Sequence, residues 1–182
     1  MMKQSSQPPP SSRARLTPPW QTDLLAEWLR DLGQDTVSKR LGKLVLLSEL
    51  GEVDLEGSRW SFSTGVRRPS ERPPAPIDLG KALVHPLAKR SSTFFPGVLL
   101  LGRSSNNDVV IPHSSVSKLH ARLRAEKDGF WVEDAGSQNG SAIDGEPIRK
   151  PVFAVAGDLL RFGDLNFQLV DARILMRSLS RA

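Results

Sequence analysis

The sequence contains no cysteine. That absence excludes disulfides, thiolate zinc sites, iron–sulfur clusters and a cysteine nucleophile, and it fits a reducing compartment. No apolar run approaches the roughly eighteen residues needed to cross a bilayer. The opening stretch MMKQSSQPPPSSRARLTPP has no apolar core, so it reads as neither a signal peptide nor a membrane anchor. A soluble, cytoplasmic protein is expected. Catalytic signatures are missing as well: there is no HExxH, GxSxG, GxGxxG or GxxxxGK. His85, His113 and His120 stand at no metal-ligand spacing within one short element. The carboxylates that pair lie beside turn glycines, where acids favour turns anyway. The expectation is a non-enzyme with no catalytic residue, no metal site and no cofactor.

What is present is enough for a core. Of 182 residues, 38% are hydrophobic, and the 14 glycines bring the apolar share to about 46%, ordinary for a globular chain. The 14 prolines exceed the usual share of about 5%, so part of the chain reads as loop or linker. The net charge of +5 is unevenly spread. Residues 1–19 carry +3 and the tail from 172 carries +3, whereas residues 20–95 carry +1 and residues 96–171 carry −2. The basic balance therefore resides mostly in the two ends, which read as solvated tails with loose reach toward acidic partners.

Composition divides the chain into five parts. Residues 1–19 are polar and Pro-rich and read as a disordered tail. Residues 20–63 read as a small α+β unit. In it Trp20, Leu24, Leu25, Trp28, Leu29 and Leu32 recur at helical spacing up to Gly33. Asp35 or Thr36 is placed to cap a second helix carrying Val37, Leu41, Leu44, Val45 and Leu47 and ending near Gly51. Val53 and Leu55, a turn at Glu56-Gly57-Ser58, then Trp60 and Phe62 read as a hairpin. A unit of that size is marginal alone and is expected to lean on something else. Residues 64–77 form a Pro/Arg linker, residues 78–171 the main domain, and residues 172–182 a short tail with one or two helical turns turning Ile174, Leu175 and Leu179 inward.

The main domain changes period. Val98–Leu101, Val109–Ile111, Leu119–Ala125, Phe130–Glu133, Ala142–Asp144, Val152–Val155, Leu159–Phe162 and Asn166–Val170 are short apolar or alternating runs. Turn residues separate them, as at Asp128-Gly129, Asn139-Gly140, Asp144-Gly145 and Gly163-Asp164. Short strands at this spacing indicate an all-β sandwich or barrel. Polar and cationic groups recur at the strand ends, where such folds cluster their loops. Arg103 and Lys118 offer charged donors, Ser117 a hydroxyl and Asn139 an amide, a set suited to a dianionic, oxygen-rich ligand. Each has a plainer reading too. Asn139-Gly140 is a favoured hairpin turn, Arg103 and Lys118 can be solvated, and Ser117 can satisfy a loop backbone group. His120 reads as a hydrogen-bonded structural histidine and Trp131 as a packing residue.

These residues carry a resemblance. Gly102-Arg103, Asn106–Asp108, Ser117-Lys118-Leu119-His120, Asp134…Ser137-Gln138-Asn139-Gly140, Gly157-Asp158-Leu159-Leu160 and Gly163 occur in the order and at the gaps of a forkhead-associated (FHA) domain. The resemblance covers roughly half the chain. It implies a two-sheet β-sandwich whose apical loops bind phosphothreonine peptides on partner proteins, and distinguish phosphothreonine from phosphoserine by the extra methyl group. By matching position, Arg103 and Ser117 would hold phosphate oxygens, Lys118 would add charge, and Asn139 would hydrogen-bond the peptide backbone. Gln138 stands where the family often has Thr, and Ser141 follows Asn139-Gly140 where Thr is usual. Gly102, His120 and Gly140 would shape the loops.

The resemblance implies an adaptor for Thr-phosphorylated proteins, partnered with a Ser/Thr protein kinase or its substrates, with no membrane role. Other readings compete. Residues 20–63 partly resemble a winged helix-turn-helix unit, in which Lys39, Arg40, Lys43 and Arg59 would meet nucleic-acid phosphates; near-neutral charge and a missing helix weigh against it. The same unit could serve phosphate-independent assembly as a scaffold. Thr17-Pro18, once phosphorylated, could reach the chain's own site through flexible linkers.

Overall fold

In the computed structural model, residues 18–49, 79, 82–90 and 97–181 are described. Their strands are β1 (Trp20–Gln21), β2 (Leu44–Glu49), β3 (Ala82–Pro86), β4 (Val98–Gly102), β5 (Val109–Val110), β6 (Ala121–Ala125), β7 (Gly129–Asp134), β8 (Ser141–Ile143), β9 (Glu146–Pro147), β10 (Val152–Val155), β11 (Leu159–Phe162) and β12 (Leu165–Asp171). The helices are α1 (Thr22–Leu32), α2 (Gln34–Leu41) and α3 (Ala172–Leu179). One sheet runs β1-β3-β2-β12-β11-β8-β9 and the other β10-β7-β6-β4-β5. The two-sheet all-β sandwich expected from the sequence is therefore the observed fold.

Side-chain alternation builds the core between the sheets. Leu99, Leu101, Leu123 and Val132 from one sheet meet Leu160, Phe162, Phe167 and Leu169 from the other. Every strand expected in the main domain is present within a residue or two. The tight Asp144-Gly145 turn, with φ of 50° and 87°, joins β8 to β9 as a hairpin turn with two left-handed residues does.

The N-terminal region departs from expectation. The second helix stops at Leu41, and Gly42 takes φ 75° at its end. Residues 44–49, expected to continue that helix, form β2, which pairs antiparallel with β3 and with β12. Leu44 and Leu46 enter the inter-sheet core, while Val45 and Leu47 enter a second core on the sheet's outer face. A strand buried on both faces reads as a continuous apolar run, and such a run carries no period of its own. LVLL therefore gives no strand signal in the sequence and reads as a continuation of the helix.

The second core joins Leu25 and Trp28 of α1, Val37 and Leu41 of α2, and Leu175 and Met176 of α3 over Val45, Leu47 and Val84. The molecule thus has three layers: sheet, sheet and helices. The expected division of residues 20–63 from the main domain does not describe this packing, because β2 lies inside the seven-stranded sheet. The expected hairpin at 53–62 and the linker at 64–77 lie outside the described residues. In the C-terminal tail, Asp171 caps α3 by accepting from the Arg173 amide at 2.8 Å. Leu175 is inward as expected and Leu179 packs on the same core, but Ile174 is 61% exposed. Its place was taken by Met176, which is 1% exposed.

Candidate functional site

Three loops meet at one end of the sandwich: 103–108 after β4, 111–120 before β6, and 135–140 between β7 and β8. Backbone bonds weld the first two. The Arg103 amide donates to the Ser117 carbonyl at 2.9 Å and the Ser104 amide to the Lys118 carbonyl at 3.2 Å. The close approach requires Gly102, since a Cβ there would stand 2.4 Å from the Lys118 carbonyl oxygen. Buried Asn107 adds a clamp, its Nδ2 donating to the carbonyls of Ser104 at 2.8 Å and Lys118 at 2.6 Å.

Arg103 is held rather than loose. Its Nε donates to the Val116 carbonyl at 3.1 Å, which fixes the guanidinium plane beside the 115–118 segment. Its two terminal nitrogens meet no acceptor among the described residues and are exposed to an incoming ligand. Ser117 sits one residue on from that anchor. Its Oγ accepts from the Gln138 amide at 3.0 Å, so the hydroxyl hydrogen is left to donate outward. Asn139 closes the third side, with Nδ2 donating to the Ser115 carbonyl at 2.8 Å. Its side-chain carbonyl and second N–H hydrogen remain for other partners. The Lys118 and Gln138 side chains are exposed at the same rim. All five residues expected to bind are thus brought to one end of the fold.

His120 is the joint beneath them. Fully buried, it accepts from the Ser117 amide at Nδ1 (3.0 Å), so the proton resides on Nε2 and is donated to the Gly140 carbonyl (3.2 Å). Burial lowers its pKa, against the pull of the Gly140 carbonyl and Asp134. The ring is neutral and ties the second loop to the third, the structural role expected of it. Gly140 takes φ 74°, a left-handed turn position that favours glycine.

Other residues support the loops. Asp134 organises the third loop, accepting at Oδ1 from the amides of Gly136 (2.9 Å) and Ser137 (2.7 Å). Its Oδ2 accepts from the hydroxyls of Ser137 (2.7 Å) and Ser141 (2.5 Å). Burial works against its ionisation, but these hydrogen bonds prevail and hold the carboxyl below its ordinary pKa. The Asp-x-x-Ser spacing carries that signal, because a carboxylate three residues before a serine forms such a turn. Ser141 therefore keeps a polar role beside the loop. Ser115 accepts from the Asp164 amide at 3.0 Å and pins the second loop to the β11–β12 turn. The carbonyl of Val116 carries no sequence signal at all.

The electrostatics are one-sided. Asp108 is occupied by Lys89 at 2.7 Å and by the amides of Arg90 and Leu100. Asp134 is occupied by its own loop. Arg103 and Lys118 are exposed and form no ion pair among the described residues, and the rim suits a multiply charged oxyanion.

Fold and rim together define a β-sandwich with fixed, cationic loops at one end. Residues 99–163 match the family model of the FHA domain, and the chain carries an FHA domain there. Over 69 residues the chain is 38% identical to the glycogen accumulation regulator GarA of Mycobacterium tuberculosis, covering 38% of this chain and 41% of that protein. Over 71 residues it is 31% identical to the FHA domain-containing protein FhaB of the same species, covering 39% of this chain and 46% of that one. The chain thus matches less than half the length of these relatives. Among solved structures, the FHA domain of CT664 from Chlamydia trachomatis superposes with a TM-score of 0.44 at 19% identity, covering 70% of this chain and 97% of that chain.

Proposed function

We propose that this protein is a non-catalytic adaptor that docks onto partners bearing phosphothreonine, the products of a Ser/Thr protein kinase. The observation that carries this reading is the pinned guanidinium of Arg103. Its Nε is anchored on Val116 and its amide on Ser117, which sets a bidentate donor beside a hydroxyl donor. A phosphoryl group has three acceptor oxygens and a charge near −2, and pre-set donors bind it with little loss of side-chain freedom. Lys118 adds charge, and Asn139 and Gln138 on the third loop would meet the peptide beside the phosphate. Gly102, His120 and Gly140 keep the loops in register. Among the described residues no group of His and carboxylate side chains is arranged to hold a metal.

An oriented phosphopeptide array probed with the parent and with Arg103→Ala tests the reading. The parent should select phosphothreonine over its unphosphorylated and phosphoserine counterparts, and the variant should lose the signal. Equal binding by both proteins would remove the site assignment.

A further inference from the structure

A second cationic feature lies on the side of the sandwich below the rim. It is a groove of about 350 Å³ between α2 and the segment leading out of β3. Lys39 and Arg40 line one wall, Lys89 and Arg90 the other, and Trp20 contributes the base. The two walls come from chain segments about fifty residues apart, brought together because β1 and β2 flank β3 in one sheet.

The charge of this groove is not balanced internally. Its one acid, Asp108, is taken by Lys89 and by two backbone amides. Arg40 lies over the Trp28 ring, 5.2 Å from its centroid, and is thereby held in place with its charge intact. Lys39, Arg40 and Arg90 form no ion pair among the described residues. Trp20, 6% exposed, has an indole Nε1 without an acceptor among them. The groove therefore concentrates three cations that have no ion pair among the described residues beside the largely buried Trp20 ring.

Its position bears on the rim. Asp108 accepts from the Leu100 amide, and Leu100 precedes Arg103 by three positions along β4. Asp108 is also the last residue of the 103–108 loop, so the groove adjoins the loop that opens with Arg103. An extended peptide held at the rim by one residue reaches the groove with another some three to six positions away.

We propose that this groove receives acidic side chains of the same polypeptide whose phosphorylated threonine occupies the rim, so that partners are chosen by phosphate plus a nearby acidic run. The proposal rests on the phosphopeptide reading above. Concavity and size favour a single extended chain over a nucleic-acid duplex, whose broad convex backbone meets flat or protruding basic surfaces rather than a slot between a helix and a loop. Two-point attachment raises affinity through effective concentration, and the separate acidic contact is weak alone.

The test uses the full chain and peptides with one phosphothreonine and four glutamates placed three to six residues away, on either side, with matched glutamine peptides. In the parent, one glutamate peptide should bind about five- to tenfold more tightly than its glutamine match at low salt. The double variant Lys39→Gln/Arg90→Gln should abolish that gap while leaving the glutamine peptide unchanged. Equal binding of glutamate and glutamine peptides by the parent, with Arg103→Ala still abolishing both, would overturn the groove and leave the rim reading intact. An unphosphorylated glutamate peptide that shifts the Trp20 indole and Arg90 amide resonances, while no phosphopeptide engages the rim, would overturn the proposal together with the rim reading on which it rests. A short DNA duplex that outcompetes the glutamate peptide at the same resonances would overturn the choice of ligand.

Discussion

At the scale of single residues, the rim separates donors that face outward from groups that hold them. Arg103 is exposed and anchored by one nitrogen, so its loss should weaken ligand without unfolding the protein. We expect Arg103→Ala to cost about 1.5–3 kcal/mol of phosphopeptide binding, roughly ten- to a hundredfold, with an unchanged melting temperature. Calorimetric titration beside a thermal melt checks both halves. His85 belongs to the opposite group. It is buried, bonded to Ser48 at 3.2 Å and set edge-on to Phe167. Burial lowers its pKa from 6.5 to about 4. The unfolded chain therefore takes up a proton that the folded protein refuses. The stability this confers is complete above about pH 6.5 and is lost as pH falls toward 4. Between about pH 7 and pH 5 the loss from this group is about 2 kcal/mol. Urea unfolding at the two pH values should show it, and His85→Gln should flatten the dependence. What is legible in the sequence is residue type: Arg103, Ser117, His120 and Asn139 are named by the motif, and the fold brings their loops to one end of the sandwich. The anchor of Arg103 is not legible, because a main-chain carbonyl is the same at every position and only the folded loop aims it.

At the scale of elements, two features decide what the loops can do. The first is the close approach at the end of β4. A Cβ on Gly102 would press on the Lys118 carbonyl, which belongs to backbone and cannot swing away. Gly102→Ala should separate the first two loops, lower stability by about 1–3 kcal/mol and weaken phosphopeptide binding, although residue 102 touches no ligand. Urea unfolding and peptide titration on the same variant measure the two effects, and a variant as stable and as tight-binding as the parent would contradict the account. The second feature is β2. The strands of the sandwich were readable because each has one buried face and alternates, as Ala121 and Leu123 do against Arg122 and Arg124. β2 has no exposed face, so LVLL lost its period and was read with the preceding helix. Gly42 is the available signal: a glycine with left-handed φ ends a helix, and here it does so nine residues before the expected stop near Gly51. Ile174 was misread for a related reason, since over two turns the sequence 172–179 offers both Ile174-Leu175 and Leu175-Met176 as an apolar stripe.

At the scale of the whole molecule, the FHA domain does not stand apart from what precedes it. β2 is interposed between β3 and β12, and three helices from both ends of the chain cover the outer face of that sheet. A fragment starting at residue 78 would lose β1, β2, α1 and α2, leave Val84 and Val170 without their partners Trp20, Leu47 and Val45, and open the sheet along its length. We expect that fragment to fail to give a cooperative thermal transition, whereas the full chain gives one. Cooperative unfolding of the fragment near the parent's melting temperature would restore the view of an independent domain with a satellite. The same integration bears on recognition, because it places α2 and the 87–90 segment beside the loop that carries Arg103.

The central claim is that three loops present a pre-set dianion cradle at one end of the sandwich. Titration of the isotopically labelled full chain with a phosphothreonine peptide, followed through backbone amide and arginine side-chain resonances, addresses it most directly. The account predicts that Arg103, Ser117, Lys118 and Gln138–Gly140 shift together and saturate at one concentration, and that the unphosphorylated peptide moves none of them. Saturating shifts confined to another surface, or the same shifts with the unphosphorylated peptide, would contradict it.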